Sequence, residues 1–296
     1  MPTSNTSMQG KICMVTGANS GIGKETALGL AKMGATVVMV CRNRAKGEEA
    51  QREIKQQSGN ETVDLLVADL SSQQAIRQLA QEFQQRYSQL HVLVNNAGGA
   101  VPQRQMSIDG IEMTFAVNYL ASFLLTNLLL DTIKASAPAR IINVSSDAQT
   151  NSIDLDDLQR TKKYHTFQAY GQAKTALVLF TYALAQRLAG TGVTVNCLHP
   201  GVVATNFMDH VVPPFAEPFA RPLISIFKRF LIKPEEGAKT TLYLATSPEV
   251  EGVTGKYFDK CKEKPSVPIS YDNSLQQQIW KIGQELTGLS VPAKVE

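Results

Sequence analysis

The sequence predicts one α/β domain built on a doubly wound parallel sheet, and three observations carry that prediction. Six short, nearly continuous apolar runs recur through the first 200 residues. Amphipathic stretches of helical length separate them. A glycine-rich turn joins the first run to the first helical stretch. A strand covered on both faces reads as a continuous apolar run, not an alternating one. Strand and helix repeated this often place helices on both faces of a parallel sheet.

The elements follow in order. KICMVT (11–16) is the first strand, and the helix over 21–34 begins within its glycine turn. TVVMVC (36–41) leads to a charged amphipathic helix over 44–57, and TVDLLVA (62–68) to a helix over 72–87. HVLVN (91–95) precedes a long helix over 112–135, RIINVS (140–145) a second over 168–190, and VTVNCL (193–198) is the sixth strand. No internal repeat or low-complexity linker interrupts this series, so residues 1–296 read as one domain.

Beyond residue 200 the texture changes. Residues 207–232 hold five of the 11 Phe and four of the 13 Pro. Pro213, Pro214, Pro218 and Pro222 break regular structure, so this segment is no further crossover. It reads as core packing or as a lid, about residues 205–233, over an apolar pocket. A helix opening at Pro234-Glu235-Glu236, a short strand in GKYFD (255–259) and a final helix over about 272–287 complete the chain.

Composition excludes several classes. With 29 Lys plus Arg against 26 Asp plus Glu, the net charge of +3 is too small and too evenly spread to mark a nucleic-acid partner. No uncharged apolar run approaches the ~18 residues of a membrane span, and the polar MPTSNTSMQGK start predicts no secretory signal. Cys13, Cys41, Cys197 and Cys261 lack CxxC spacing and sit mostly in apolar surroundings, as reduced cysteines of a cytoplasmic protein do. Four scattered histidines add no metal cluster, so no metal is expected.

TGANSGIG places Gly17, Gly21 and Gly23 between a strand and a helix. Glycine permits the tight turn, close approach of a pyrophosphate and close helix–strand packing, and the helix N-terminus offers free N–H groups to an anion. The next strand usually ends in an acidic residue that holds an NAD ribose. Here that position is Cys41, followed by Arg42 and Arg44. A guanidinium can hold a 2′-phosphate that a carboxylate would repel, so the expected cofactor is NADP(H). Tyr170 and Lys174, four apart in AYGQAK, share one helix face. Ser145-Ser146 and Asn95-Asn96-Ala97-Gly98 end two strands at the edge where such sheets bind ligands, and Asn118 lies in the long helix.

With these residues together, the chain resembles the short-chain dehydrogenase/reductase family over about residues 9–260, and most closely its retinol-dehydrogenase-like branch. The likeness rests on TGANSGIG, Asp69 in VADL, NNAG, Asn118, Ser146, the Tyr170/Lys174 pair and HPGVVATN. VCRNRAKGEEA, the DLDDL segment between Ser146 and Tyr170, and EEGAKTTLYLATSPEVEGVTGKYF through the closing ELTGL point to the branch. Ala173 stands where the family often has Ser.

The resemblance implies a Rossmann fold and an NADP(H)-dependent interconversion of an alcohol with an aldehyde or ketone. Tyr170 would be general acid–base, Ser146 would bond the substrate oxygen, Lys174 would hold the nicotinamide ribose, and Asn118 would organise a proton-relaying water. A phenol with a pKa of about 10 is a poor acid–base at neutral pH. A lysine ~4 Å away at an effective dielectric of ~20 is worth about 4 kcal/mol, roughly three pKa units, so Lys174 with the positive nicotinamide ring is expected to bring Tyr170 near the pH where it can act as general acid–base. Cofactor contacts are implied for Gly17, Ser20, Gly21, Ile22, Gly23, Arg42, Asp69 (adenine), Asn96, Ala97, Gly98, Tyr170, Lys174, Pro200, Gly201, Val203 and Thr205.

The apolar 205–233 segment stands where the family puts its substrate lid, which with the branch implies a lipophilic substrate. Alternatively, with Lys228 and Arg229 beside apolar residues, it touches a membrane as interfacial helices do. The family's two long helices, here 112–135 and 168–190, commonly pack on a second subunit, which leaves a homodimer or a monomer open. Tyr164 and His165, in KKYHTF, could reach the site but read rather as loop residues, and His199 reads as a residue positioned at a strand end, not a base. Two other functions stay open: reduction of a carbon–carbon double bond on the same fold, and a non-catalytic NADPH-binding regulatory protein.

Overall fold

The computed structural model describes residues 7–201 and 232–289. The expected lid over 205–233 therefore lies almost wholly outside the described residues, as do Val203 and Thr205. Within them, one eight-stranded sheet runs in the order β3-β2-β1-β4-β5-β6-β7-β8. Its strands are Ile12–Thr16 (β1), Thr36–Cys41 (β2), Val63–Val67 (β3), Val92–Asn95 (β4), Ala139–Val144 (β5), Val193–His199 (β6), Tyr257–Asp259 (β7) and Lys262–Glu263 (β8). All pairs are parallel except β7 with β8. The doubly wound expectation holds strand by strand. The short antiparallel β8 was not foreseen, because a Lys-Glu pair carries no apolar signal, and charge is what an exposed edge requires.

The helices are Gly21–Lys32 (α1), Arg44–Ser58 (α2), Gln73–Arg86 (α3), Met113–Phe115 (α4), Ala121–Leu128 (α5), Leu130–Ala135 (α6), Thr166–Arg187 (α7), Pro234–Thr246 (α8) and Asn273–Thr287 (α9). Polar side chains start several of them: Asn43 accepts from the Lys46 N–H, Ser72 from Ala75, and Asp272 from Ser274 and Leu275. Ser20, before α1, makes no side-chain cap bond. The helix expected over 112–135 is segmented. A π turn, Ala116–Leu120, separates α4 from α5, because the Asn118 amide donates to the Thr114 carbonyl, inserting a side chain where a regular ladder bond belongs.

Successive strand residues bury on opposite faces, so the sheet carries two cores. Met14, Val38, Leu66, Leu93, Ile141 and Val195 pack with α3, α5, α7 and α9. Cys13, Val15, Val37, Val94, Ile142 and Leu198 pack with α1, α2 and α8. On the first side an aromatic cluster joins Tyr119, Phe123 and Phe180 to Trp280 of α9. The Tyr119 hydroxyl donates to the Ile279 carbonyl at 2.7 Å, and the Arg187 guanidinium lies 4.0 Å above the Trp280 ring. The final helix thus packs on α5 and α7.

Candidate active site

The strand order reverses between β1 and β4, and a cleft of about 610 Å³ opens at the carboxyl ends of these strands. The glycine turn forms one wall. Gly17 and Gly21 have φ of +67° and +54°, where a side chain is strained. At Gly23 a Cβ would lie 2.3 Å from the Gly17 carbonyl oxygen and 2.5 Å from Asn96 Nδ2, so no larger residue fits. The Asn96 amide donates to the Thr16 carbonyl at 2.8 Å. Thr16 Oγ1 accepts from the Asn96 and Ala97 N–H groups at 2.9 and 3.0 Å. Sequence reasoning passed over Thr16, whose only signal is a hydroxyl closing an apolar strand.

The far end of the cleft is bordered by Cys41, Arg42, Ala68, Asp69 and Ser71. The Arg42 guanidinium is largely exposed and 4.0 Å from Asp69. Asp69 also accepts from the Ser71 N–H and hydroxyl at 2.9 and 2.8 Å. Arg44 instead faces Glu48 one helical turn on, at 3.7 Å, so the two arginines separate in role. The Cys41 thiol is pushed up by burial and donates to the Asn43 carbonyl, so it presents no charge.

Tyr170 and Lys174 border the opposite end. Lys174 is 3% exposed; its ammonium sits 5.6 Å from the Tyr170 ring centre and donates to the Val144 carbonyl at 2.8 Å. Burial lowers Lys174 to about 7. Burial likewise pushes Tyr170 up to about 12, opposed only by a hydrogen bond with Ser146. Ser146 Oγ accepts the Ala148 N–H at 3.1 Å, which leaves its proton for the phenol. Burial thus opposes the shift expected of Lys174 and the nicotinamide ring, because removing both groups from water disfavours both charged forms.

Asn118 meets the Gly98–Gly99 backbone. Its amide donates to the Gly99 and Thr114 carbonyls, both at 2.7 Å, and its oxygen accepts the Gly99 N–H at 3.0 Å. Its amide donors are committed to protein, so its side chain shapes this loop. A Cβ on Gly98 would lie 2.5 Å from Asn118 Oδ1 and 3.1 Å from Lys174 Nζ. Beneath, Asn95 donates to Thr126 and Asn143, and Asn143 donates to Thr181, a buried polar chain tying β4, β5, α5 and α7. Its polar members inside apolar runs were visible in the sequence, but their pairing was not.

Of the remaining residues, Ser20, Ile22, Ala97, Ser145 and Pro200 line the cleft, together with Val144, Ala100, Val101 and Met113, which sequence reasoning did not single out. Gly201 has φ of +88° and packs on Ile232, so close that a Cβ would clash. His199 Nδ1 accepts the Asp147 N–H at 3.0 Å while Nε2 faces the Asp147 carboxylate at 3.5 Å. That brace fixes the turn after Ser146, in keeping with a strand-end role. Among the described residues no cluster suits a metal ion, and no helix is long and apolar enough to cross a membrane.

Comparison with known proteins agrees with this geometry. The family model for short chain dehydrogenases matches residues 11–214, and the chain belongs to that oxidoreductase family. It is similar to retinol dehydrogenase 14 of Homo sapiens, at 44% identity over 95% of this chain and 88% of that one. Polyprenol dehydrogenase of Homo sapiens is 42% identical over 94% and 86%. Among solved structures, the Pseudomonas aeruginosa RhlG/NADP active-site complex aligns with a TM-score of 0.67 at 28% identity, covering 85% of this chain and 95% of that one.

Proposed function

We propose that this chain uses NADP(H) to interconvert a lipophilic alcohol with its aldehyde or ketone, with Tyr170 exchanging the proton. The observation that carries the reading is Tyr170, bonded to Ser146 and stacked beside Lys174, at the end of a cleft whose other wall is the glycine turn. The chain fits the dinucleotide: Gly17 and Gly21 take the left-handed turn that lets a pyrophosphate near the backbone, Gly23 lets α1 pack against that turn, and Ser20 leaves the first turn of α1 uncapped. Arg42 beside an uncharged Cys41 favours a 2′-phosphate over a bare ribose. Relatives named for NADP, retinol and polyprenol support the cofactor and the substrate class.

When bound, the nicotinamide supplies the hydride for the carbonyl carbon. The protein handles the proton. At neutral pH a phenol held near 12 stays protonated, the form required to give a proton to a carbonyl oxygen gaining negative charge. When a carbonyl enters, the Ser146 hydroxyl can turn its one proton from the phenol to that oxygen. Lys174, held near 7, is about half charged at neutral pH. Its cationic form favours the phenolate that Tyr170 becomes, and its proton can replace the one delivered. Ala100, Val101 and Met113 supply an apolar lining, which favours an apolar substrate over a sugar or acid.

Consumption of NADPH and NADH over a panel of medium- and long-chain aldehydes including retinal, with product analysis, tests this. Alcohol formed with its double bonds intact, and NADPH preferred at least about tenfold, is the expected result. Reduction at a carbon–carbon bond, equal use of NADH, or NADPH binding with no turnover would each overturn a named part of the reading.

A further inference from the structure

We infer that Tyr164 is a positioning residue that fixes the substrate wall of the cleft relative to Tyr170. The inference rests on the proposed site and concerns a residue that the chemistry leaves aside. The Tyr164 hydroxyl donates to the Val101 carbonyl at 2.7 Å and lies 3.1 Å from Thr114 Oγ1. With its proton given to Val101, it accepts from Thr114. The Thr114 carbonyl in turn holds the Asn118 amide. Two residues on, Thr166 Oγ1 donates to the Pro102 carbonyl at 3.0 Å.

The segment leaving β4 is thus held at successive carbonyls: Gly99 by Asn118, Val101 by Tyr164 and Pro102 by Thr166. Ala100 and Val101 of that segment line the cleft, while Tyr164 and Thr166 run directly into α7, which carries Tyr170. The apolar wall and the proton donor therefore share one mount, and the Tyr164 hydroxyl bolts one to the other. Burial and the nearby Glu112 carboxylate both push this phenol up, so it remains an O–H donor across working pH. Glu112 is itself fixed, accepting the Thr114 and Phe115 N–H groups at 2.8 Å. Freeing the wall should blur discrimination between substrates of different girth and length and leave the nucleotide end untouched.

Tyr164→Phe keeps the ring and removes both hydrogen bonds. In the NADPH-loaded full chain, amide exchange at residues 99–101 should quicken by about 3–10-fold, the loss of roughly one net hydrogen bond. Across an aldehyde chain-length series KM should rise by a similar factor and chain-length preference flatten. kcat and the NADPH Kd should stay within about twofold, a split that general loosening of the fold would not give. Unchanged exchange at 99–101, or KM and NADPH Kd rising together, would overturn the inference. Exchange needs no carbonyl substrate, so a wild type inert on every aldehyde would sink the proposed function while exchange still judged the clamp.

Discussion

The two ends of the cleft are held by different means. At the nucleotide end the fit is made by backbone: Gly17 and Gly21 in left-handed conformation, and Gly23 so close to the Gly17 carbonyl that only hydrogen fits between them. At the catalytic end it is made by buried and half-buried side chains that bond main-chain carbonyls from distant segments: Lys174 to Val144, Asn118 to Gly99, Tyr164 to Val101. A backbone fit is rigid and fails abruptly. A side-chain fit is adjustable, and it carries titratable groups whose burial becomes part of the chemistry.

The largest effect should come from adding one methyl group at the nucleotide end. Gly23→Ala places a Cβ 2.3 Å from a carbonyl oxygen; overpacking of this kind costs about 1–3 kcal/mol or more. We expect NADPH affinity to fall below detection by fluorescence titration, with a lowered Tm. Near-normal binding would show that the turn is softer than its geometry.

Lys174→Met should act in opposite directions on turnover and stability. Reduction should slow by about 10²-fold or more, on the scale of lost proton-transfer assistance, while Tm at pH 7 rises by several degrees. Folding lowers Lys174 from 10.5 to about 7, so between those values the unfolded chain binds more protons and stability increases with pH. Below pH 7 the cost of burying the charge is full; above about 10.5 it is gone. The Tm advantage of the variant should therefore be greatest at or below pH 7 and shrink towards pH 10. In wild type the reductive kcat should fall as pH rises through about 7, and the variant should lose that inflection.

The smallest effect lies at the exposed end. Arg42 is a solvated cation near Asp69, so Arg42→Ala should weaken NADPH by about 3–10-fold and leave NADH unchanged, as measured by paired titrations at two salt concentrations. An equal loss for both nucleotides would mean that the arginine only supports the β2–α2 turn.

The contrast also explains what was legible in the sequence. TGANSGIG lies within eight consecutive residues, so the glycine turn, its strand and its helix could all be read directly. Tyr170 and Lys174 were legible by helical spacing, but their electrostatics were not, because burial depends on α4, α5 and β5 closing around them. The neutral tendency of Lys174 reverses what the spacing alone suggested. The π turn at Asn118, the bond from Tyr164 to Val101 and the cover of α9 over α5 and α7 likewise arise from contacts between segments far apart in the chain. β8, two charged residues pairing at an edge, has no periodic signature at all.

Tyr170→Phe, assayed for NADPH binding and for NADPH-driven reduction of a lipophilic aldehyde in the same preparation, tests the division between the two ends most directly. The change removes only the hydroxyl that Ser146 holds. We expect the NADPH Kd to stay within about twofold and turnover to fall by about 10²–10⁴-fold, the range of general acid catalysis. Turnover retained in that variant would contradict the assignment of the proton to Tyr170.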